Sequence, residues 1–223
     1  ECWVWLNNLP TTNIHANATF ELGNRSVSDS TDVGGAWHWN FIGPAWYPGN
    51  PQGHMHFNTY QRNGSNTSDD LNLNSSVAPP TQQWVHCALT RQGNTIRMYQ
   101  GGVEVASGNI PNTNDYKMTA AALAGQYWIS RRSYNPGYGY IEGYIDDYRI
   151  SDNCRYPDGT TFTPHTSAHV SDANTLLLVS DGSSKSFIDS SSSPHSITSN
   201  GDAKHVHLSK VAASAMSWDG ASP

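Results

Sequence analysis

Trp84-Val85-His86-Cys87-Ala88-Leu89-Thr90-Arg91 opens, and Gly143-Tyr144-Ile145-Asp146-Asp147-Tyr148-Arg149-Ile150 closes, the stretch whose reading decides the fold. Between them Thr95-Ile96-Arg97-Met98-Tyr99 and Val103-Glu104-Val105 alternate apolar and polar residues on either side of Gly101-Gly102. Two alternating runs around a glycine pair predict a β-hairpin, because a type I′ turn needs positive φ at both central residues. In the closing strand Ile145, Tyr148 and Ile150 break the period of two. A β-bulge at Asp146-Asp147 would restore one buried face.

This order of strands resembles the LamG-like jelly rolls of the concanavalin A-like lectin superfamily. There a W-x-H-x-A-L-T-R strand precedes a Y-x-N-G-V hairpin and a later G-x-I-D-D-x-R-I strand. Modules of marine bacteriophage tail-fibre and virion proteins are particularly similar, since they continue into C/A-R-Y…F-T-P, here Cys154-Arg155-Tyr156 and Phe162-Thr163-Pro164. The likeness is good over residues 84–164 and fair over residues 1–5. Gly101 stands where that family usually has Asn, and Ser130 where it often has Gly after Ile129. The resemblance implies an all-β, antiparallel β-sandwich of the concanavalin A-like, LamG-like jelly-roll type.

Composition agrees with many short strands joined by turns. Charged residues make up 13% of the 223, aromatics 11%, and no sustained helical stripe or heptad occurs. A formal net charge of −6 argues against nucleic acid as a partner, which usually demands basic clusters. No apolar run approaches the roughly 20 residues that span a bilayer, so no membrane partner is expected. Neither a signal pattern nor an initiator Met opens the chain, which reads as a processed product or an excerpt. Cys2, Cys87 and Cys154 form no disulfide framework and fit no zinc spacing; Cys2 and Cys87 are expected to be buried as small apolar residues.

In chain order, residues 1–6, 18–22, 36–42 and 53–60 read as strands, with Met55, Phe57 and Thr59 sharing a face. Residues 26–35 and 63–80 are Ser/Asn/Asp/Gly/Pro tracts and read as surface loops. Three parts follow: a jelly-roll body over residues 1–164, a linker over 165–173, and a tail over 174–223. The tail resembles the leading strands of the same module type, through residues 174–182, 189–198 and 215–223. Such strands would leave an unpaired sheet edge if nothing joined them. Leu176, Leu177, Leu178, Met216 and Trp218 are the residues expected to complete a sandwich. That sandwich is either the chain's own, a neighbouring subunit's in a head-to-tail assembly, or that of a tandem module.

Candidate chemistry is sparse. A glucanase of this superfamily would carry E-x-D-x-E on one strand face, with two carboxyls about 5 Å apart. Only Glu142-Gly143-Tyr144-Ile145-Asp146 comes near, with Tyr144 in place of the middle acid, so no catalytic residue is assigned and the chain is read as a non-enzyme. Asp146 and Asp147 are expected instead to accept backbone N–H bonds. No metal ligand is assigned and no cofactor is expected. Calcium, which takes six to eight oxygens, has only the weak clusters Asp29 with Asp32 and Asp69 with Asp70 to draw on.

Glycan recognition is the stronger expectation, because sugar C–H faces stack on aromatic rings while amides and carboxylates read the hydroxyls. Trp46, Tyr47 and Asn50 in one turn-rich loop, and Tyr134, Asn135 and Tyr138 in another, are the candidates for a glycan or subunit contact. Sequons occur at Asn17, Asn24, Asn63, Asn66 and Asn74, with Asn63, Asn66 and Asn74 in an expected loop. The functional expectation is a structural and adhesive module of an extracellular or virion fibre, assembled with identical subunits or tandem modules and presenting loop aromatics to a cell-surface glycan. The alternative is a soluble monomeric lectin domain.

Overall fold

The apolar face of β6 (Trp84–Gln92) sets the layout. The structure, a computed structural model, describes residues 1–9, 17–22, 35–41, 52–61, 69–110, 127–130 and 141–219, among which there are strands and turns and no helix. A seven-stranded antiparallel sheet runs β15 (Lys204–Val206), β16 (Ala215–Asp219), β10 (Glu142–Asp146), β1 (Cys2–Leu6), β6, β7 (Thr95–Gln100), β8 (Val103–Asn109). A five-stranded sheet runs β5 (Asp69–Asn74), β4 (Met55–Gln61), β3 (Gly35–Phe41), β2 (Asn17–Leu22), β9 (Trp128–Ile129). Two ribbons pair β11 (Tyr148–Ser151) with β12 (Thr175–Val179) and β13 (Asp181–Ser183) with β14 (Ser186–Ile188). The all-β, antiparallel sandwich expected from the sequence is the fold observed.

Strand parity builds the core. Cys2, Val4 and Leu6 of β1, Cys87 of β6, Ile96 and Met98 of β7, Ile145 of β10 and Met216 and Trp218 of β16 meet Trp39, Phe41, Met55 and Phe57 of the five-stranded sheet in one buried cluster. Each large apolar side chain so removed from water contributes about 1.5–3 kcal/mol. Met55, Phe57 and Thr59 share the buried side, as their alternation requires. Cys2 and Cys87 are buried, free, and directly opposite each other across β1 and β6.

The hairpin turn has both positive φ values that type I′ demands, +59° at Gly101 and +84° at Gly102. A side chain at Gly102 would put its Cβ 1.9 Å from the Phe162 carbonyl oxygen, and Phe162 N–H donates to Gly102 O at 2.9 Å. The Phe162-Thr163-Pro164 segment is thereby tied to the turn. Ser130, standing where Gly is frequent in the resembling family, has φ +59°, and its buried Oγ accepts the Ile141 N–H at 2.9 Å. The break in alternation at Asp146-Asp147 is a change of sheet: Asp147 has φ +53°, β10 stays in the large sheet, and β11 leaves to pair with β12.

The C-terminal strands pair within the chain. β16 lies beside β10, with Met216 opposite Ile145 and Trp218 opposite Gly143. β12 lies on β11, with Leu177 opposite Ile150; Leu177 and Leu178 are buried while Leu176 is 46% exposed. Two details differ from the sequence reading. Residues 189–198 hold no strand; there Asp189 accepts the N–H groups of Leu178, Ser191 and His195 and so fixes the chain as a loop. Residues 63–80, read as a loop, contain β5, whose polar Asn and Asp residues hid an alternation set by Leu71 and Leu73. Residues 165–173, read as a linker, carry no strand, yet His165 and His169 turn inward, as described next.

Candidate functional site

Trp5 stands opposite Trp84 on one side and Tyr144 on the other; Tyr144 stands opposite Ser217, and Ser217 opposite Lys204. Directly opposed residues of an antiparallel pair share a face. Val4, Ile145 and Met216 occupy the core side, so this row across five strands lies on the outer face of the large sheet. Trp5, Trp84 and Tyr144 are all half-buried. Trp5 packs edge to face on Trp84 at 5.9 Å and 68° and on Tyr144 at 6.4 Å and 78°, and Trp84 meets Tyr144 tilted, at 6.4 Å and 52°. Each such pair adds about 0.5–1.5 kcal/mol beyond its buried area, which holds the rings still without hiding them.

Polar groups rim this floor. Glu142, two residues from Tyr144 and on the same face, accepts a hydrogen bond from Asn8 Nδ2 at 3.3 Å and stands opposite Asp219. With Ser217 and the exposed Lys204, the rim offers carboxylate, amide, hydroxyl and ammonium groups around three aromatic rings. That is the chemistry which holds a sugar, by stacking and by hydroxyl recognition.

Farther along the same face the sheet is covered. Tyr156 and Phe162 stack in parallel at 3.6 Å and lie edge-on against Tyr99 and His86. Lys210 Nζ sits 5.1 Å above the Trp3 ring, and Asp146 Oδ2 accepts the N–H groups of Lys210, Val211 and Ala212 at 2.6, 2.8 and 3.3 Å. Burial raises the Asp146 pKa against the opposing pull of those N–H groups. A carboxylate so enclosed cannot face a sugar on the open row, and Glu142 therefore lacks Asp146 as a catalytic partner.

Beneath the cover lies a cluster of Glu1, His86, Asp147, Arg149, Tyr156, His165 and His169. Glu1 accepts the Tyr156 O–H at 2.6 Å, lies 3.1 Å from His86 Nε2, and pairs with the Arg149 guanidinium. Burial by itself would raise the Glu1 pKa, but His86, Arg149 and Tyr156 hold it well below the usual carboxylate range. Burial also lowers the His86 pKa, and takes that of His169 down to about 4, so both imidazoles are neutral at pH 7. Asp147 accepts the His169 N–H and lies 2.8 Å from His165 Nε2. A cleft of about 500 Å3 adjoins this cluster near β11, lined by its Glu1, Arg149 and Tyr156 together with Trp37, Tyr127 and Tyr148, with the Arg91 guanidinium 6.0 Å from the Trp37 ring.

Trp46, Tyr47, Asn50, Tyr134, Asn135 and Tyr138, with Asn24, Asn63, Asn66, Asp29 and Asp32, lie outside the described residues. Asn17 begins β2. Asn74 is the last residue of β5 and half-buried, instead of standing in a loop, because β5 pairs with β4 up to that residue. The sequence reading passed over Trp5, Trp84 and Tyr144 because it followed only the buried face of their strands and not the face opposite. Their signal was present: each is one residue out of step with a core residue. The histidine cluster left a fainter trace, His165 and His169 at H-x3-H spacing.

These features define a lectin-type β-sandwich with a half-open aromatic floor. Residues 1–159 match the model of the third Laminin G family, described as belonging to the concanavalin A-like lectin/glucanases superfamily, and the chain belongs to that family. No curated protein matches it. Membership points to a carbohydrate-binding or adhesive module; the superfamily is mostly non-catalytic, with some glucanases among its members.

Proposed function

We propose that this chain is a non-enzymatic glycan-binding module, that it works as an adhesive unit of an extracellular or virion fibre, and that it takes its sugar on the Trp5–Trp84–Tyr144 row. The observation that carries the reading is the half-exposed aromatic triangle with Glu142, Asn8, Ser217 and Lys204 at its edge. Aromatics kept part-exposed on a sheet face forgo burial, which favours a ligand-contact role over packing. In the fibre the module stands beside identical subunits or tandem modules of its own kind. Because β12 and β16 are paired inside the chain, contacts between units run through side chains and loops, with Trp46 and Tyr134 as further contributors.

The test is a glycan array probed with the full chain and with Trp5→Ala, Trp84→Ala, Trp46→Ala and Tyr134→Ala variants. A sugar bound by the parent and lost in both Trp5→Ala and Trp84→Ala supports the sheet-face site. Loss only in the Trp46 or Tyr134 variants moves the site to the loops. Reducing-end release from a β-glucan panel, abolished in Glu142→Gln, would overturn the non-enzymatic reading in favour of a glucanase.

A further inference from the structure

The covered end of the outer face holds four donors that the glycan site does not use: Glu1 before β1, Asp147 at the sheet change, and His165 and His169 from residues 165–173. Glu1 is fixed through its backbone, its nitrogen donating to Arg149 O at 2.9 Å and its carbonyl accepting the Arg149 N–H at 2.9 Å. The side chains of Glu1, Asp147 and His169 are 5%, 0% and 8% exposed.

Three of the four are spaced as the ligands of one ion could be. One donor atom each from Glu1, His165 and His169 lie within 4.8 Å of one another. His169 Nε2 stands 3.7 Å from Glu1 Oε1 and 3.7 Å from Asp147 Oδ2, beyond hydrogen-bond reach of either. Tetrahedral zinc, at about 2.1 Å from each ligand atom, sets those atoms roughly 3.4 Å apart.

The hydrogen bonds do not close without something more. The Trp3 indole N–H lies 3.1 Å, and Asp147 Oδ2 2.8 Å, from the same His165 nitrogen, Nε2. One nitrogen cannot accept from the first and donate to the second. His165 Nδ1, His169 Nε2 and His86 Nδ1 are buried with no hydrogen-bond partner, where buried polar groups ordinarily have one. Among the described residues no Lys or Arg pairs with Asp147; the nearby Arg149 is engaged by Glu1.

We propose that Glu1, His165 and His169 bind one divalent transition-metal ion of the zinc type, with Asp147 positioning the two histidines. Two imidazoles with one carboxylate suit zinc and its first-row neighbours, whereas calcium takes oxygen ligands. Bound there, the ion joins residues 165–173 to the start of β1, while Asp147 at the junction of β10 and β11 holds His165 and the His169 N–H. It thus pins the connection between the body and the tail.

The test uses tag-free full chain stripped with a chelator, titrated with Zn2+ by calorimetry and with Co2+ by visible absorption. One equivalent of Zn2+ should bind, with the d–d bands of a low-coordinate Co2+ site. His165→Ala and His169→Ala should each weaken binding by about 100-fold or more. His195→Ala, whose side chain is 65% exposed and far along the tail, should bind as the parent does. Circular dichroism of the metal-free variants checks that they fold, and the parent's stoichiometry stands independently of them. Absence of saturable binding to the parent overturns the proposal. So does undiminished binding by His169→Ala, or a loss shared equally by His195→Ala. A melting temperature that responds to pH and not to Zn2+ reduces the cluster to a histidine–carboxylate pair and overturns it too.

Discussion

Trp84 is half-exposed because Val85, its neighbour, takes the core side of β6; on a pleated strand one choice dictates the other. The same holds for Trp5 beside Val4 and Tyr144 beside Ile145. Removing a ring from this face costs some edge-to-face packing and leaves the core intact. Trp84→Ala should therefore lower the melting temperature by only a few degrees, a loss of about 1–2 kcal/mol, while reducing glycan affinity at least tenfold by calorimetry. A small change would be far worse at Gly143. Its φ is +156°, and a Cβ there would lie 2.0 Å from the Trp5 carbonyl oxygen and 3.2 Å from Leu6 Cα, both β1 backbone. Backbone cannot swing aside as a side chain can. Gly143→Ala should cost about 3 kcal/mol or more, read as a shift in denaturation midpoint, and a midpoint unchanged within error would show that β1 and β10 do not approach so closely.

At the level of elements, what the chain disclosed in advance depended on how local each signal was. The Gly101-Gly102 hairpin, the β6 strand and the buried Cys2 and Cys87 are written in neighbouring residues, and the structure has them where the pattern put them. β15 and the β13–β14 ribbon are three-residue strands, too short for alternation to register. The aromatic row and the histidine cluster are assembled from β1, β6, β10 and residues 165–169, far apart in the chain, so no window of sequence contains either. Asp189 shows how such distant wiring replaces a strand. Burial would raise its pKa, but N–H groups of His195, Leu178 and Ser191, with the His195 ring, bring it to about 2. A carboxyl lowered in the folded state stabilises fully above its unfolded pKa near 3.9, and that stability is lost as pH falls through 2. The contribution is about 2 kcal/mol. Guanidinium melts should show Asp189→Asn less stable than the parent at pH 6, with the gap closing towards pH 2; a gap independent of pH would mean that the ionised form is not what β12 is anchored to.

For the whole molecule, the order of strands along the sheet matters more than their order along the chain. β16 comes last in sequence and sits in the large sheet between β15 and β10, with β10 in turn beside β1. Without it, β10 becomes an edge carrying Gly143, Tyr144 and Ile145 with bare N–H and C=O groups, and the core loses Met216 and Trp218. An exposed apolar edge recruits other strands. A chain ending at residue 202 should therefore aggregate with thioflavin-T binding, while the full chain sediments as one species whose size does not change with concentration. The two halves of the argument separate in a rescue experiment. A synthetic peptide of residues 203–219, added during refolding of the truncated chain, should restore its solubility and bind one to one, because β10 then offers a single vacant register. A Trp218→Asp peptide should fail, since the ring enters the core opposite Gly143 and a carboxylate there would be buried without a partner. If the truncated chain stays soluble and monomeric with no peptide present, β16 is an ornament on a sandwich already complete. The pairing of the C-terminal strands would then tell nothing about how modules of this kind are joined.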